Sequence, residues 1–405
     1  MQDAIMQDAF ILGGVRTPRG RASGRGALHG VSPVELVVGL CGALRERTGL
    51  DPRLVGDMIL GCASQIGVQG ANIARTASIL ADWDTPGMTI NRFCASGIDA
   101  VSLAAARVRS GDATLLAAGG VESVSRVPLF ADGGPLFTDP AVMRAVGSVH
   151  MGIAADLVAT LEGLMREELD DYVINTRKKA REAWDAGRTA SSLVAVLDGE
   201  GKVLCDRDEL LGFSPSREEL ASFPPAFAAL GSEGQDAVAL SRYPALPEIR
   251  HVHTKGTSPP LADAAALLLI GNMEGALDAE LKPRARIVAS TTFAVDPVLM
   301  LTAGQHAVLR VLERTGLSAK DVDLFEFAEA FSALCIKFQR DLDVDDDRFN
   351  VDGGTLALGH AFGATGAILV LALVDGLVRR GGRYGIAAVS GAAGLGSAVL
   401  LERVA

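Results

Sequence analysis

Cys94 stands in Asn91-Arg92-Phe93-Cys94-Ala95-Ser96-Gly97, between the short apolar run Met88-Thr89-Ile90 and a helical pattern from Ile98 to Arg109. Ile98, Val101, Ala105 and Val108 share one face of that helix, and Gly111 follows its end. A cysteine between a strand and a helix start lies at the positive end of the helix dipole. That position favours thiolate, the form that attacks carbonyl carbon. Without context a free cysteine is a small buried hydrophobe, but Cys94 has turn residues Ser96 and Gly97 beside it. The second reactive candidate is His360, which ends Gly353-Gly354-Thr355-Leu356-Ala357-Leu358-Gly359-His360 and leads into Ala361-Phe362-Gly363-Ala364-Thr365-Gly366. Glycines let the backbone turn tightly around a reacting group. A histidine after such a turn can take a thiol proton.

Three other stretches could carry chemistry. Ser390-Gly391-Ala392-Ala393-Gly394-Leu395-Gly396 is rich in glycine, but its order and the short strand after it exclude a dinucleotide loop. His251-Val252-His253 alternates as a strand would, with both imidazoles on one face. No third ligand stands at metal-binding spacing, so paired strand histidines are expected and no metal site. Arg177-Lys178-Lys179 and Arg181 form a basic cluster, either for phosphates or as a solvated face paired with Glu182.

The elements that must position these groups repeat. Glu46-Arg47-Thr48-Gly49-Leu50 returns as Glu313-Arg314-Thr315-Gly316-Leu317, an offset of 267 residues. Both copies end a helix and lead to a strand, Met58-Ile59-Leu60 and Asp323-Leu324-Phe325. Helices opening at Gly97 and Gly366 differ by 269 residues, so the offset is nearly constant along the chain. One half needs about 120 residues, near the usual domain size, and the excess falls between the copies. The expected division is residues 1–127, completed by about 250–280, then an insertion at 128–249, then a second half at 281–405. The insertion should hold an amphipathic helix with Leu169, Tyr172, Val173, Thr176 and Ala180 on one face, followed by the charged connection Asp206-Arg207-Asp208-Glu209. Alternating strands and helices predict α/β layers.

At 405 residues and 49% hydrophobic, the chain can bury a large core. Its net charge of −11 excludes a nucleic-acid or anionic-membrane surface as the main function. The cysteines at 41, 62, 94, 205 and 335 form no CxxC pair, and their odd number fits reduced thiols in the cytoplasm. No apolar run suggests a membrane span; Ala367–Leu373 reads as part of one buried helix. No basic, apolar leader pattern opens the chain. Met1-Gln2-Asp3-Ala4 recurs as Met6-Gln7-Asp8-Ala9, which points to Met6 as the start.

The Cys94 stretch resembles the nucleophile motif of the thiolases, which make or break the carbon–carbon bond of β-ketoacyl-CoA. The likeness runs from Ala9-Phe10-Ile11 to the final strand, and is greatest to the fatty-acid-degrading and trifunctional-enzyme β-subunit branch. It implies a thiolase-like α/β fold: two duplicated βαβαβαββ halves in α-β-α-β-α layers, with an inserted loop domain. It also implies that acyl-CoA acylates Cys94, with His360 as base and the amides of Cys94 and Ala392 as an oxyanion hole. Met151 matches a residue that lines the family's acyl pocket. Ser258 lies in a segment that approaches the CoA pantetheine arm; Pro259 and Pro260 there replace the family's serine and glycine. Proline removes a backbone donor and fixes φ, so that wall must differ.

Two family groups are missing. Phe327-Ala328-Glu329-Ala330-Phe331 aligns with the family's NEAF or HEAF box, whose polar first residue orients an oxyanion-hole water; Ala328 cannot, while Phe331 is retained as a substrate-side residue. Ser390 replaces the family's second cysteine, which moves the α-carbon or CoA-sulfur proton. The resemblance therefore implies acyl transfer on acyl-CoA or 3-ketoacyl-CoA with impaired carbon–carbon chemistry. A hydrolase or altered acyltransferase, and a weak CoA-binding or complex-assembling subunit, are the alternatives. CoA thioester is the expected substrate, with no bound cofactor and no metal. Expected partners are a second copy in a dimer or tetramer and a hydratase/dehydrogenase subunit.

Overall fold

The computed structural model describes residues 7–404, so Met1 and Met6 lie outside the described residues. In the first half, β1 (Phe10–Arg16), α1 (Pro33–Thr48), β2 (Met58–Gly61), α2 (Ile73–Leu80), β3 (Gly87–Ile90), α3 (Ser96–Arg109) and β4 (Leu115–Ser123) follow in turn. After a long excursion β5 (Ala262–Gly271) completes the set. That excursion carries α4 (Met151–Leu161), α5 (Arg166–Asp185) and α6 (Asp236–Arg242). The second half runs through β6 (Ala285–Ala294), α7 (Ala303–Thr315), β7 (Leu324–Phe327), α8 (Ser332–Leu342), α9 (Phe362–Arg380), β8 (Tyr384–Ser390) and β9 (Leu395–Arg403).

The strand order is β3-β2-β4-β5-β1 in one half and β7-β8-β9-β6 in the other. In both, the inner crossovers are parallel and the last two pairings antiparallel. The third strand of the second half has shrunk to one parallel bridge, Phe325 to Phe349. The halves join edge to edge where β1 meets β6, Phe10 opposite Arg286 and Ile11 opposite Ala285. The repeated pentapeptide has the same job twice. Gly49 and Gly316 end α1 and α7 with φ of 71° and 70°, a left-handed cap that glycine adopts without a Cβ penalty.

Helices α3 and α9 form the central layer and touch strands of both halves. Their crossing depends on missing side chains. A Cβ on Gly97 would lie 2.7 Å from the Ala367 amide nitrogen and 2.7 Å from the Gly363 carbonyl oxygen, and one on Gly366 would strike the Ile98 amide. Helix α9 has a mean hydropathy of 1.7 over a window long enough for a bilayer, but 83% of that window is buried inside the fold. Its length exceeds the Ala367–Leu373 run read from sequence, and packing against the strands of both halves, not lipid, accounts for its apolarity.

Candidate active site

Cys94 and His360 occupy equivalent places: each lies two residues before the first residue of its central helix, α3 or α9. The backbone is forced at both turns. Phe93 has φ 50°, Phe362 φ 32°, and Ala393, in the third loop, φ 58°. Such left-handed angles cost a non-glycine residue about 1–3 kcal/mol and collect where geometry matters for function. The Ser390–Gly396 loop meets the cysteine loop closely: a Cβ on Gly391 would stand 3.5 Å from the Arg92 carbonyl oxygen and 3.6 Å from the Cys94 nitrogen.

The thiol of Cys94 opens on a cavity walled by Phe93, Leu129, Phe130, Phe137, Met151 and Phe362, with Ala392 beside it. Met151, Cys94 and Ala392 thus line one cavity. The Cys94 and Ala392 amides lie beside the sulfur and favour its thiolate. These donors do not make it acidic. Burial pushes the thiol up to about 12 and the nearby Glu122 adds to this, against the smaller pull of the two amides. The helix dipole predicts the opposite shift; desolvation of a fully buried thiolate outweighs it. His360 moves the other way. Burial, helped by the Arg19 charge, lowers it to about 4, so it is a neutral imidazole at neutral pH. Its Nδ1 lies 3.0 Å from Thr365 Oγ1 and its ring centroid 4.7 Å from that of Phe362.

The remaining expected groups lie elsewhere. Ser390 Oγ accepts a 2.9 Å hydrogen bond from the Gly304 amide at the start of α7, buried away from the cavity wall. Ala328 is buried, its amide bonded to the Ala388 carbonyl at 3.0 Å. Ser258 donates to the Thr254 carbonyl at 2.8 Å, with half-buried Pro259 next in chain. Phe331 packs edge-on against His253 at 5.3 Å. None of these five lines the Cys94 cavity, and neither does His360, whose neighbour Phe362 does.

Two carboxylates missed by the sequence reading hold the loops. Glu122, at the end of β4, accepts from the amides of Ala63 at 2.8 Å, Ser64 at 3.2 Å and Gly363 at 3.0 Å, so it ties both halves together. Glu329 accepts from Tyr172, Thr176, Asn350 and the Leu356 amide at 2.8–3.0 Å. For Glu122 a single acid at the end of an otherwise apolar run is the available signal; Glu329 shares its run with Glu326. The basic cluster on α5 serves the same loop. Arg177 donates to the Leu356 carbonyl at 2.8 Å and Lys179 to the Phe349 carbonyl at 2.9 Å, while exposed Arg181 donates to the Leu211 carbonyl at 2.8 Å and Lys178 faces Glu182 at 3.8 Å. His251 and His253 are not on a strand. Both ring Nδ1 atoms meet Asp156, at 2.9 and 2.8 Å, and His251 Nε2 meets Asp236 at 3.0 Å. No group of side chains suited to a metal occurs among the described residues.

Residues 9–235 match the family model "Thiolase, N-terminal domain" and 281–403 match "Thiolase, C-terminal domain". The chain belongs to the thiolase family. It is an enzyme of the family's acyltransferase type. A beta-ketoadipyl-CoA thiolase of Escherichia coli is 37% identical, covering 98% of this chain and all of that one. A probable acetyl-CoA acetyltransferase of E. coli strain K12 is 35% identical over 98% of this chain and all of its own length. Among solved structures, the Bacillus anthracis acetyl-CoA acetyltransferase superposes with a TM-score of 0.85 at 30% identity, covering 99% of this chain and 100% of that one. Human mitochondrial 3-ketoacyl-CoA thiolase gives 0.85 at 27% identity with the same coverage. The two layered halves and central helices are therefore the thiolase fold.

Proposed function

We propose that this thiolase-family enzyme takes an acyl group from a CoA thioester onto Cys94, and that the later carbon–carbon step is impaired. The observation that carries the first part is the buried thiol on the wall of a cavity that Met151 and Ala392 also line, with the Cys94 and Ala392 amides beside it. In this reading His360 takes the thiol proton through Nε2, since Nδ1 is engaged with Thr365. The sulfur–acyl bond forms as the CoA sulfur leaves, and the imidazolium returns the proton to that sulfur. The two amides suit an oxygen that gains negative charge in the transition state.

The second part rests on what replaces the family's proton-moving groups. Ser390 has a hydroxyl that is far less acidic than a thiol, and its oxygen is held by Gly304. Ala328 offers only a methyl group. Losing a positioned acid or base forfeits ~10²–10⁴ in rate. Acylation is expected in intact-protein mass spectra after mixing with acyl-CoA, while thiolysis of acetoacetyl-CoA should be very slow. Ser390→Cys together with Ala328→Asn should raise thiolysis. Ordinary turnover by the unaltered protein would refute the impairment.

We further propose a dimer through β3. This edge strand is half-buried along its whole length, and Ile66, Val68, Ile79 and Leu80 are exposed on neighbouring segments. An open, apolar sheet edge is unstable towards pairing. Light scattering that shows a monomer at micromolar concentration would reject it. All five cysteines are free and buried, which suits the reducing cytoplasm we assign.

A further inference from the structure

We infer that the acyl group Cys94 carries is short and uncharged, with Phe137 setting its length and Asp132 excluding a terminal carboxylate. The inference rests on the acyl-Cys94 reading above. Free space against the thiol amounts to only about 30 Å³. By this measure one water-sized group needs roughly 10–15 Å³, so two or three carbons beyond the carbonyl fill it. Aromatic rings line the side away from the thiol, with Phe137 half-buried and Phe130 at the exposed rim. Phe130 and Phe137 pack tilted at 41° with centroids 4.2 Å apart, and Phe93 meets Phe137 edge to face at 6.0 Å. Phe93 is itself held by its forced backbone at φ 50°. A longer chain must therefore displace a mutually packed group of rings rather than one loose side chain.

Charge is selected as well as size. Asp132 is the one ionisable side chain besides the Cys94 thiol on the cavity wall, and no lysine, arginine or histidine lines it. Asp132 is exposed at the cavity mouth, so a terminal carboxylate reaching it would meet a like charge and find no cation. This sets the chain apart from its relatives named for beta-ketoadipyl-CoA, despite 37% identity.

The test measures Cys94 acylation by intact-protein mass spectrometry, using the full chain and acetyl-, butyryl-, octanoyl- and succinyl-CoA. Acetyl and butyryl groups should load fastest. Octanoyl should load at least ~10-fold more slowly, and so should succinyl, which has the same number of carbons as butyryl but carries a charge. Phe137→Ala should raise the octanoyl-to-acetyl ratio, and Asp132→Asn the succinyl-to-butyryl ratio. Octanoyl or succinyl loading as fast as acetyl in the unaltered protein overturns the inference while leaving the acyl-enzyme intact. If no thioester loads Cys94, the acyl-enzyme reading fails, and this one with it.

Discussion

A buried thiol pushed up to about 12 and a histidine lowered to about 4 are both uncharged at neutral pH. A preformed thiolate–imidazolium pair would react with alkylating agents already at acidic pH. Here alkylation of Cys94 by iodoacetamide should instead keep rising from about pH 6 to about pH 9, because the thiolate fraction grows throughout that range. Peptide mapping across the pH series checks this; a plateau at the acidic end would contradict the uncharged state of both groups. His360→Ala should slow acylation of Cys94 by ~10²-fold or more at neutral pH, the effect of removing a positioned base. Unchanged acylation would take His360 out of the reaction. The forced φ angles at Phe93, Phe362 and Ala393 sit on the three loops these groups depend on, which links backbone strain to the placement of the site.

The elements around the site are held by buried polar groups as much as by apolar packing. Asp208, in the charged connection after α5, is buried and paired with Arg16 at 2.9 Å and Arg19 at 3.2 Å. Glu122→Ala should lower stability in urea by roughly 3 kcal/mol or more. It leaves the Ala63, Ser64 and Gly363 amides without their acceptor, and each unsatisfied buried group costs about 1–3 kcal/mol. Glu122→Gln, which keeps one acceptor oxygen, should lose less. His251 joins α4 to α6 through Asp156 and Asp236. Burial opposes its protonation, but the hydrogen bonds and charges of the two aspartates outweigh burial and raise its pKa. Because the folded value is raised, its stabilising contribution is complete below the unfolded value of about 6.5. The contribution is then lost as pH rises through the folded value. Urea midpoints should therefore show a falling component in that window, and His251→Asn should abolish it.

At the scale of the molecule, the two halves share one core layer, and the site exists only where they meet. Cys94 comes from α3's leading loop, His360 from α9's, and Glu122 spans both. Gly366→Ala places a methyl group against the Ile98 amide at the crossing of these helices. Overpacking of this kind costs about 1–3 kcal/mol. Thermal unfolding should show that loss, and Cys94 acylation should fall with it because the loops separate. Wild-type stability and acylation in this variant would mean that the crossing is less tight than the backbone contacts indicate.

The repeated pentapeptides and the spacing of their helices already determine two halves of like order, because helix caps and strand periodicity are local properties of the chain. The Cys94 and His360 turns are legible for the same reason. The partners of buried polar groups are not, since they depend on which distant segments pack together. Thus the Arg177 and Lys179 side chains turn inward to loop carbonyls, and His251 and His253 gather on Asp156 without forming a strand. The third strand of the second half shrinks to Phe349, where α5 supplies Lys179 to the freed carbonyl. The direction of the Cys94 shift was also beyond local reading. A helix start favours thiolate, but only the packed fold decides how much water the sulfur retains, and here its burial dominates.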